Sequence, residues 1–197
     1  MHWENVYGTK RADEVSWTQP VPQVSLDLIA GLGVSKQIKM IDVGGGDSNL
    51  VDHLLALGYL NITVLDISAN AIERAKLRLG EKAKLVNRIV SDILDFSPKE
   101  TYEVWHDRAT FHFLTSKKNI ETYSALVSNK VVGYLLLGTF SENGPKKCSG
   151  LEISQYSEEG MASVFAPAFE KLGCELHDHV TPFGTTQSFL FCSFKKC

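Results

Sequence analysis

The chain has 197 residues, of which 44% are hydrophobic, so it has enough apolar material for the core of one globular domain. Its 20 basic and 23 acidic residues give a formal net charge of -3, which provides no overall positive field toward nucleic acid or an anionic membrane. The first seven residues lack the pattern of a signal peptide, and no run of about 18 apolar residues predicts a membrane-spanning helix.

The four cysteines have no C-x-x-C spacing and are too few for a disulfide scaffold. We therefore expect free thiols in a reducing compartment, and a cytoplasmic protein with a single domain over residues 1–197.

The first half of the chain alternates β-branched apolar stretches with helical periodicity, which is typical of βαβ units. Residues 1–25 form a lead-in that we expect to fold over a site. The elements predicted after it are a strand at Ile38–Val43, a helix capped by Asp47 or Ser48 and reaching about Leu57, a strand at Ile62–Leu65, and a helix from the cap Ser68 to Leu79 that ends at Gly80.

The second half continues the same alternation. Its predicted elements are strands at 83–90 and 103–107, a helix at 119–127, a strand at 131–139, an irregular stretch at 141–155, a helix at 158–172, and a hairpin of strands at 174–180 and 187–194. The whole pattern predicts an α/β fold with a doubly wound, mostly parallel sheet.

Three glycines follow the first strand directly. Gly44, Gly45 and Gly46 lead into the helix that begins near Asp47 and Ser48. Glycine lets a ligand approach the backbone closely, and the helix N-terminus offers unpaired N–H groups, so a small and partly anionic ligand is expected here. Tight strand-to-helix turns also use glycine for purely structural reasons.

Acidic side chains end the next two strands. Asp66 stands where doubly wound nucleotide-binding folds place an acid on the ribose hydroxyls. Asp92 ends the third strand, where it can accept a hydrogen bond from an adenine amino group while Ile93 packs against the ring. With Asp42, three carboxylates stand at successive strand ends, which favours a nucleoside site over unrelated capping aspartates.

The turn itself discriminates between nucleotide classes. A G-x-G-x-x-G dinucleotide fingerprint would need glycine where Asn49 stands, and the chain has no P-loop motif. Asp42, directly before the glycines, would repel a phosphate but can hold an ammonium group. The charge pattern therefore favours S-adenosyl-L-methionine (SAM) over NAD.

Residues 42–48 resemble motif I of class I SAM-dependent methyltransferases, and Asp66 and Asp92-Ile93 match the next two motifs. The similarity spans about residues 36–140, and it implies a Rossmann-like sheet of seven strands with an antiparallel last strand. It also implies SAM as the cofactor and S-adenosyl-L-homocysteine as its product. The cofactor-binding residues expected from this similarity and from the strand ends are Trp17, Asp42, Gly44, Gly45, Gly46, Asp47, Ser48, Asp66, Ile67, Asp92, Ile93 and Asp107.

Three further segments, at 2–7, 14–17 and 105–114, resemble a branch of small bacterial methyltransferases. That branch is similar to enzymes that modify protein lysines, including the citrate synthase and elongation factor lysine methyltransferases. The resemblance implies a protein lysine nitrogen as the acceptor. Alternatives are an O-, N- or S-methyltransferase of small molecules, a SAM- or nucleotide-binding module without activity, and an NAD-dependent oxidoreductase.

Methyl transfer from a sulfonium mainly needs alignment and desolvation, so few catalytic residues are expected. A lysine acceptor, with a pKa of about 10.4, would need a base or a desolvated slot. His112, just past the fourth strand, is the candidate base, and the alternative is a hydrogen-bonded histidine packed between Phe111 and Phe113. Asp107 is expected beside the reactive methyl group, and Arg108 either pairs with Asp107 or attracts an acidic acceptor.

Two substrate and cofactor classes are disfavoured. The fourth strand lacks the [DN]-P-P-[YF] motif of methyltransferases that act on adenine or glutamine amides. No spacing of histidines, cysteines and acids indicates a metal site, and none is expected.

Overall fold

The computed structural model describes residues 2–197. Its helices are α1 (His2–Thr9), α2 (Gln23–Gly31), α3 (Leu50–Ala56), α4 (Ala69–Leu79), α5 (Lys117–Lys130) and α6 (Glu158–Phe165). Its strands are β1 (Lys39–Val43), β2 (Asn61–Asp66), β3 (Val86–Val90), β4 (Tyr102–Arg108), β5 (Val131–Phe140), β6 (Lys147–Cys148), β7 (Leu151–Glu152), β8 (Phe169–Val180) and β9 (Thr186–Lys196). Short 3₁₀ turns occupy Ala12–Glu14, Gly80–Leu85 and Phe111–Phe113.

Seven strands form one sheet in the order β3-β2-β1-β4-β5-β9-β8. The strands from β3 to β5 are parallel, whereas β9 is antiparallel to β5 and β8 is antiparallel to β9. This topology confirms the predicted α/β fold. The strand order reverses between β1 and β4, and open α/β sheets bind ligands at the carboxyl ends of the strands beside such a point.

Both faces of the sheet are covered, which explains the nearly continuous apolar strands. Adjacent residues on β4 illustrate this, since Val104 packs with the cluster under α2, α3 and α4, while Trp105 packs with Tyr123 and Phe165 from α5 and α6. The core thus holds the strands rigidly, and their carboxyl ends become fixed points for a site.

Helix α6 is shorter than the sequence predicts. It ends at Phe165 instead of residue 172, and β8 already begins at Phe169. Pro167 is the reason, because it has no N–H to donate and its ring obstructs the preceding turn.

Three other boundaries differ from the prediction. The 3₁₀ turn Gly80–Leu85 occupies the start of the predicted third strand. A short β6–β7 ladder forms within the stretch 141–155, which was predicted to be irregular. Helix α2 was not predicted, because the prolines before it indicated only a lead-in.

The cysteine prediction is wrong for one pair. Cys174 on β8 and Cys192 on β9 stand directly opposite each other and form a disulfide, whereas Cys148 and Cys197 are free. The pairing depends on the register of the hairpin, which the spacing of cysteines along the sequence does not reveal. Within residues 2–197, no helix is long and apolar enough to cross a membrane.

Candidate active site

A cavity of about 340 Å³ lies at the carboxyl ends of the parallel strands, beside the reversal of strand order. The structure brings most of the predicted cofactor residues to its wall. The predicted residues that line it are Trp17, Asp42, Gly44, Gly45, Asp47, Ser48, Asp66, Ile67, Asp92 and Ile93.

The glycine turn is sterically required. Gly44 has a positive φ of 71°, and a Cβ there would lie 1.9 Å from Thr110 Oγ1. A Cβ on Gly45 would lie 2.1 Å from Asp42 Oδ2. Any side chain at these positions would displace the groups that shape the cavity wall.

Gly46 has a different role from its neighbours. It does not line the cavity, and a Cβ on it would meet both Asp66 Oδ2 and the Cβ of Ala71 at less than 3 Å. Its backbone N–H donates to Asp66 Oδ2 at 3.0 Å. Gly46 therefore positions the Asp66 carboxylate instead of contacting a ligand.

Asp42 is buried, and only one of its carboxylate oxygens has a partner. Oδ1 accepts from His106 Nδ1 at 2.7 Å, and His106 Nε2 lies 2.9 Å from Ser25 Oγ. Oδ2 is buried and has no hydrogen-bond partner among the described residues. Because Asp42 lines the cavity, Oδ2 is an acceptor in need of a donor, and leaving it unpaired is costly.

Asp66 and Asp92 complete the acidic rim. Asp66 also accepts from the backbone N–H of Ser68 at 2.8 Å, yet burial raises its pKa to about 6. Asp92 is half-buried, and its Oδ1 accepts from the backbone N–H of Leu94 at 2.9 Å. The nearby Asp42 and Asp47 charges raise the pKa of Asp66 further, so the cavity favours a cationic ligand.

Asp47 ties the turn to α4 by ion pairs. Its carboxylate lies 3.2 Å from Arg74 Nη1 and 3.0 Å from Arg78 Nη1. These contacts compensate the charge of Asp47, whereas Asp66 forms no ion pair among the described residues.

The lead-in folds over the cavity, as the sequence predicts. Trp3 and Tyr7 from α1 join Trp17 and Phe113 in the cavity lining, with ring centroids of Trp3 and Phe113 5.1 Å apart and those of Trp3 and Trp17 5.7 Å apart. We call this set of four aromatic side chains the aromatic lid.

Polar contacts hold the N-terminal segment against α4. The Glu4 carboxylate accepts from the backbone N–H groups of Ala69 and Asn70, where α4 begins. Arg74 from α4 donates to the carbonyl of Lys10. The aromatic lid is thus attached to the rigid part of the fold.

Asp107 is not in the cavity lining, in contrast to its predicted place beside the methyl group. Its carboxylate accepts from the N–H groups of Thr110 and Phe111 at 2.9 and 3.1 Å and from the Tyr123 hydroxyl at 2.7 Å. Burial raises its pKa to about 6. Side chains alternate along a strand, so Asp107 points into the core while its two neighbours on β4 line the cavity.

His112 also lies outside the cavity lining. Its ring is fully buried against Phe113 and Phe140, and its Nδ1 accepts from the backbone N–H of Phe140 at 3.4 Å. Burial, aided by the charge of Arg108, lowers its pKa to about 3. The histidine is therefore neutral and has no contact with the cavity.

Sequence reasoning missed the Ser25–His106–Asp42 chain. His106 pairs with Asp42 across parallel strands β1 and β4, a register that becomes visible only when the sheet order is known. Ser25 lies on the unpredicted α2 and gave no signal in the sequence. Within residues 2–197, no group of three or more His, Cys, Asp or Glu side chains could hold a metal ion.

Comparison with known proteins places this site in context. Residues 41–129 match the family model described as a methyltransferase domain. Two relatives are malonyl-[acyl-carrier protein] O-methyltransferases 1 and 2 of Ilyobacter polytropus. The first is 28% identical over a region that covers 57% of this chain and 42% of the relative's own length. The second is 36% identical over a region that covers 42% of this chain and 31% of the relative's own length. The chain thus spans less than half the length of these relatives.

Solved structures show the same fold at low sequence identity. A SAM-dependent methyltransferase from Anabaena variabilis has a TM-score of 0.75 at 15% identity, covering 100% of this chain and 92% of that one. The 1,6-didemethyltoxoflavin-N1-methyltransferase of Burkholderia thailandensis, crystallised with its substrate and S-adenosylhomocysteine, has a TM-score of 0.68 at 17% identity, covering 98% and 81%. The likeness confirms the predicted class I fold, while the resemblance to lysine methyltransferases stays a prediction.

Proposed function

We propose that this chain is an enzyme that transfers a methyl group from SAM to a nucleophilic acceptor. The match of residues 41–129 to the methyltransferase domain model and the fold that the sheet shares with SAM-dependent methyltransferases support the proposal. The observation that carries the proposal is the buried, unpaired Asp42 Oδ2 in a cavity that also holds Asp66 and Asp92.

The residues present fit SAM group by group. Asp42 Oδ2 would accept from the ammonium of the methionine part, and Asp66, already oriented by two backbone N–H groups, would accept from the ribose hydroxyls. Asp92 would accept from the adenine amino group, with Ile93 and the half-exposed Ile67 against the ring. SAM supplies an electrophilic methyl group on a sulfonium.

The contribution of the protein is alignment and exclusion of water. The ion pairs of Asp47 and the hydrogen-bond chain Ser25–His106–Asp42 hold the cavity wall in place. The aromatic lid covers the cavity. Alignment and desolvation of this kind can provide much of the rate of a displacement reaction. No elaborate catalytic group is required.

A small molecule is the first candidate acceptor. The cavity volume of about 340 Å³ is at the lower end of the range for small-ligand sites. The structural neighbour named as a 1,6-didemethyltoxoflavin-N1-methyltransferase supports this class, and the relatives named as malonyl-[acyl-carrier protein] O-methyltransferases act on a small group attached to a carrier protein.

A protein lysine nitrogen is the second candidate. The aromatic lid favours it, because aromatic faces bind alkylammonium groups. A single slender side chain could reach the cavity, and the resemblance of segments 2–7, 14–17 and 105–114 supports the same acceptor.

Whether His112 serves as a base stays a prediction, and a His112→Gln variant tests it. Slower methyl transfer with unchanged SAM affinity would support the role. Full activity would exclude it, which is the outcome we expect from its burial and its position outside the cavity lining.

Two measurements test the proposal itself. Calorimetric titration should show binding of SAM and S-adenosylhomocysteine but not of NAD; the reverse preference would indicate an oxidoreductase. Incubation with tritiated SAM and a cell lysate, separated into protein and metabolite fractions, identifies the acceptor class by the fraction that takes the label. Binding of SAM without labelling of either fraction would leave a binding module as the function.

A further inference from the structure

Arg108 is a charged side chain of the cavity that the binding of SAM leaves without a role. It ends β4 and lines the cavity next to Cys148. Nη1 donates to the carbonyl of Trp17 at 3.1 Å, and the guanidinium carbon lies 4.7 Å from the centroid of the Phe189 ring. Nε and Nη2 are buried and have no hydrogen-bond partner among the described residues.

The charge of Arg108 is likewise uncompensated. Among residues 2–197 no carboxylate forms an ion pair with it, and burial lowers its pKa to about 10. Asp42, the acid whose charge acts on it, is already paired with His106. A buried donor left unpaired costs roughly 1–3 kcal/mol, and more for a charged group, so the site is incomplete without an acceptor of opposite charge.

The neighbouring side chain does not supply that anion. Burial raises the pKa of the Cys148 thiol to about 11, although the positive charge of Arg108 opposes the shift. The thiol is therefore neutral near pH 7, and the charge of Arg108 remains available to a ligand.

The unpaired donors also indicate which anion fits. A guanidinium binds a carboxylate with planar, paired hydrogen bonds. A single buried positive charge balances one negative charge, whereas a phosphate dianion would remain half compensated.

We propose that Arg108 binds a carboxylate of the methyl acceptor, so that the substrate is a small monocarboxylate. This inference rests on the proposed function, and it specifies the chemical class of the acceptor. The unpaired Nε and Nη2 of a cavity-lining guanidinium carry it.

A charge-matched pair of probes tests the proposal without any catalysis. The protein loaded with S-adenosylhomocysteine is titrated with propionate and with propionamide, which have nearly the same shape and differ in charge. Tryptophan fluorescence provides the signal, since the carbonyl of Trp17 contacts Arg108. We expect saturable binding of propionate at least about tenfold tighter than that of propionamide. Equal responses to the two probes would overturn the proposal.

Three variants locate the effect. Arg108→Gln should abolish the preference for propionate. Arg108→Lys retains the charge but loses the planar pair of N–H donors, so it should keep a weaker preference. Arg11→Gln removes the same charge from an exposed position and should behave like the original protein. A preference that persists in Arg108→Gln would exclude Arg108 as the binding group. Arg11→Gln should bind S-adenosylhomocysteine as the original protein does, and saturable binding of S-adenosylhomocysteine by both Arg108 variants shows that their fold is intact.

An activity measurement separates this inference from the proposed function. The metabolite fraction is divided by anion exchange before incubation with tritiated SAM. Labelling confined to the retained, anionic fraction and lost in Arg108→Gln would support the proposal. Labelling of the unretained fraction or of protein would overturn it while leaving the methyltransferase activity established, and no labelling at all despite SAM binding would contradict the proposed function itself.

Discussion

The Asp42 carboxylate offers one paired and one unpaired buried oxygen to the cavity, and this asymmetry can be tested directly. In Asp42→Asn, an amide replaces the charged acceptor, while its oxygen can still accept from His106. We expect SAM to bind weaker by about 2 kcal/mol, roughly thirtyfold, because a charge-assisted hydrogen bond is lost. Calorimetric titration measures the change.

Asp178→Asn is the matched control for Asp42, since this aspartate is exposed on β8 and does not line the cavity. It should bind SAM as the original protein does. Equal affinities in all three proteins would remove Asp42 from the cofactor site.

Asp66 gives the site a dependence on pH. Its pKa, raised by burial to about 6, means that the free protein takes up a proton as the pH falls through that value. A protonated carboxyl accepts from the ribose hydroxyls less well, so SAM affinity should be constant above about pH 7 and should weaken as the pH falls below 6. Titrations at a series of pH values measure this trend.

Asp66→Asn separates this effect from that of Asp107, whose pKa is also raised to about 6 but which does not line the cavity. The variant should bind SAM weakly at every pH between 5 and 7, with the pH dependence gone. An undiminished pH dependence in the variant would assign the titration to another group.

At the level of single residues, the sequence locates groups at strand ends well but not the direction of their side chains. The glycine turn, Asp66 and Asp92 were found because motif and strand boundary coincide. Asp107 does not line the cavity, because one residue of shift along a strand turns a side chain from the cavity into the core. Arg108 lies one residue later and lines the cavity.

Among the elements, α1 packs on α4 through buried side chains, and the Glu4 carboxylate adds hydrogen bonds to the start of α4. It accepts from the first N–H groups of α4, as a capping side chain does. We expect Glu4→Ala to reduce the free energy that holds the aromatic lid closed by about 1 kcal/mol, and so to speed the release of S-adenosylhomocysteine about fivefold. Stopped-flow fluorescence of the lid tryptophans measures the release rate.

Glu73→Ala serves as the control for Glu4, because it removes the same charge from an exposed position on α4 where Glu73 pairs with Lys76. Its release rate should not change. If both variants release the product at the original rate, α1 does not restrain the ligand.

Elements were predicted where a cap, a glycine or a proline marks their limits, as Ser68 and Gly80 do for α4. The end of α6 was missed although Pro167 was visible, because the apolar residues beyond it also fit helical periodicity. Helix α2 lacks a side chain that caps its start, and so it gave little local signal.

For the molecule as a whole, the sheet has two regions. The parallel strands have the cavity at their carboxyl ends, and the β8–β9 hairpin forms the edge of the sheet opposite β3. The disulfide between Cys174 and Cys192 belongs to the second region, and its two cysteines are 18 positions apart in the sequence. A cross-link closing a loop of that size stabilises a protein by about 3 kcal/mol, mainly by restricting the unfolded chain. Its loss should therefore affect stability and leave the cavity unchanged.

We expect the denatured, unreduced protein to react with two equivalents of a thiol reagent, for Cys148 and Cys197, and the reduced protein with four. Reduction should lower the free energy of unfolding in urea by about 3 kcal/mol, and a protein with both Cys174→Ser and Cys192→Ser should show the same loss without responding to reductant. The affinity for S-adenosylhomocysteine should be equal in all forms, because neither cysteine lines the cavity. Four reactive thiols before reduction would show that the bond does not form, and a changed affinity would show that the hairpin edge and the cavity are coupled.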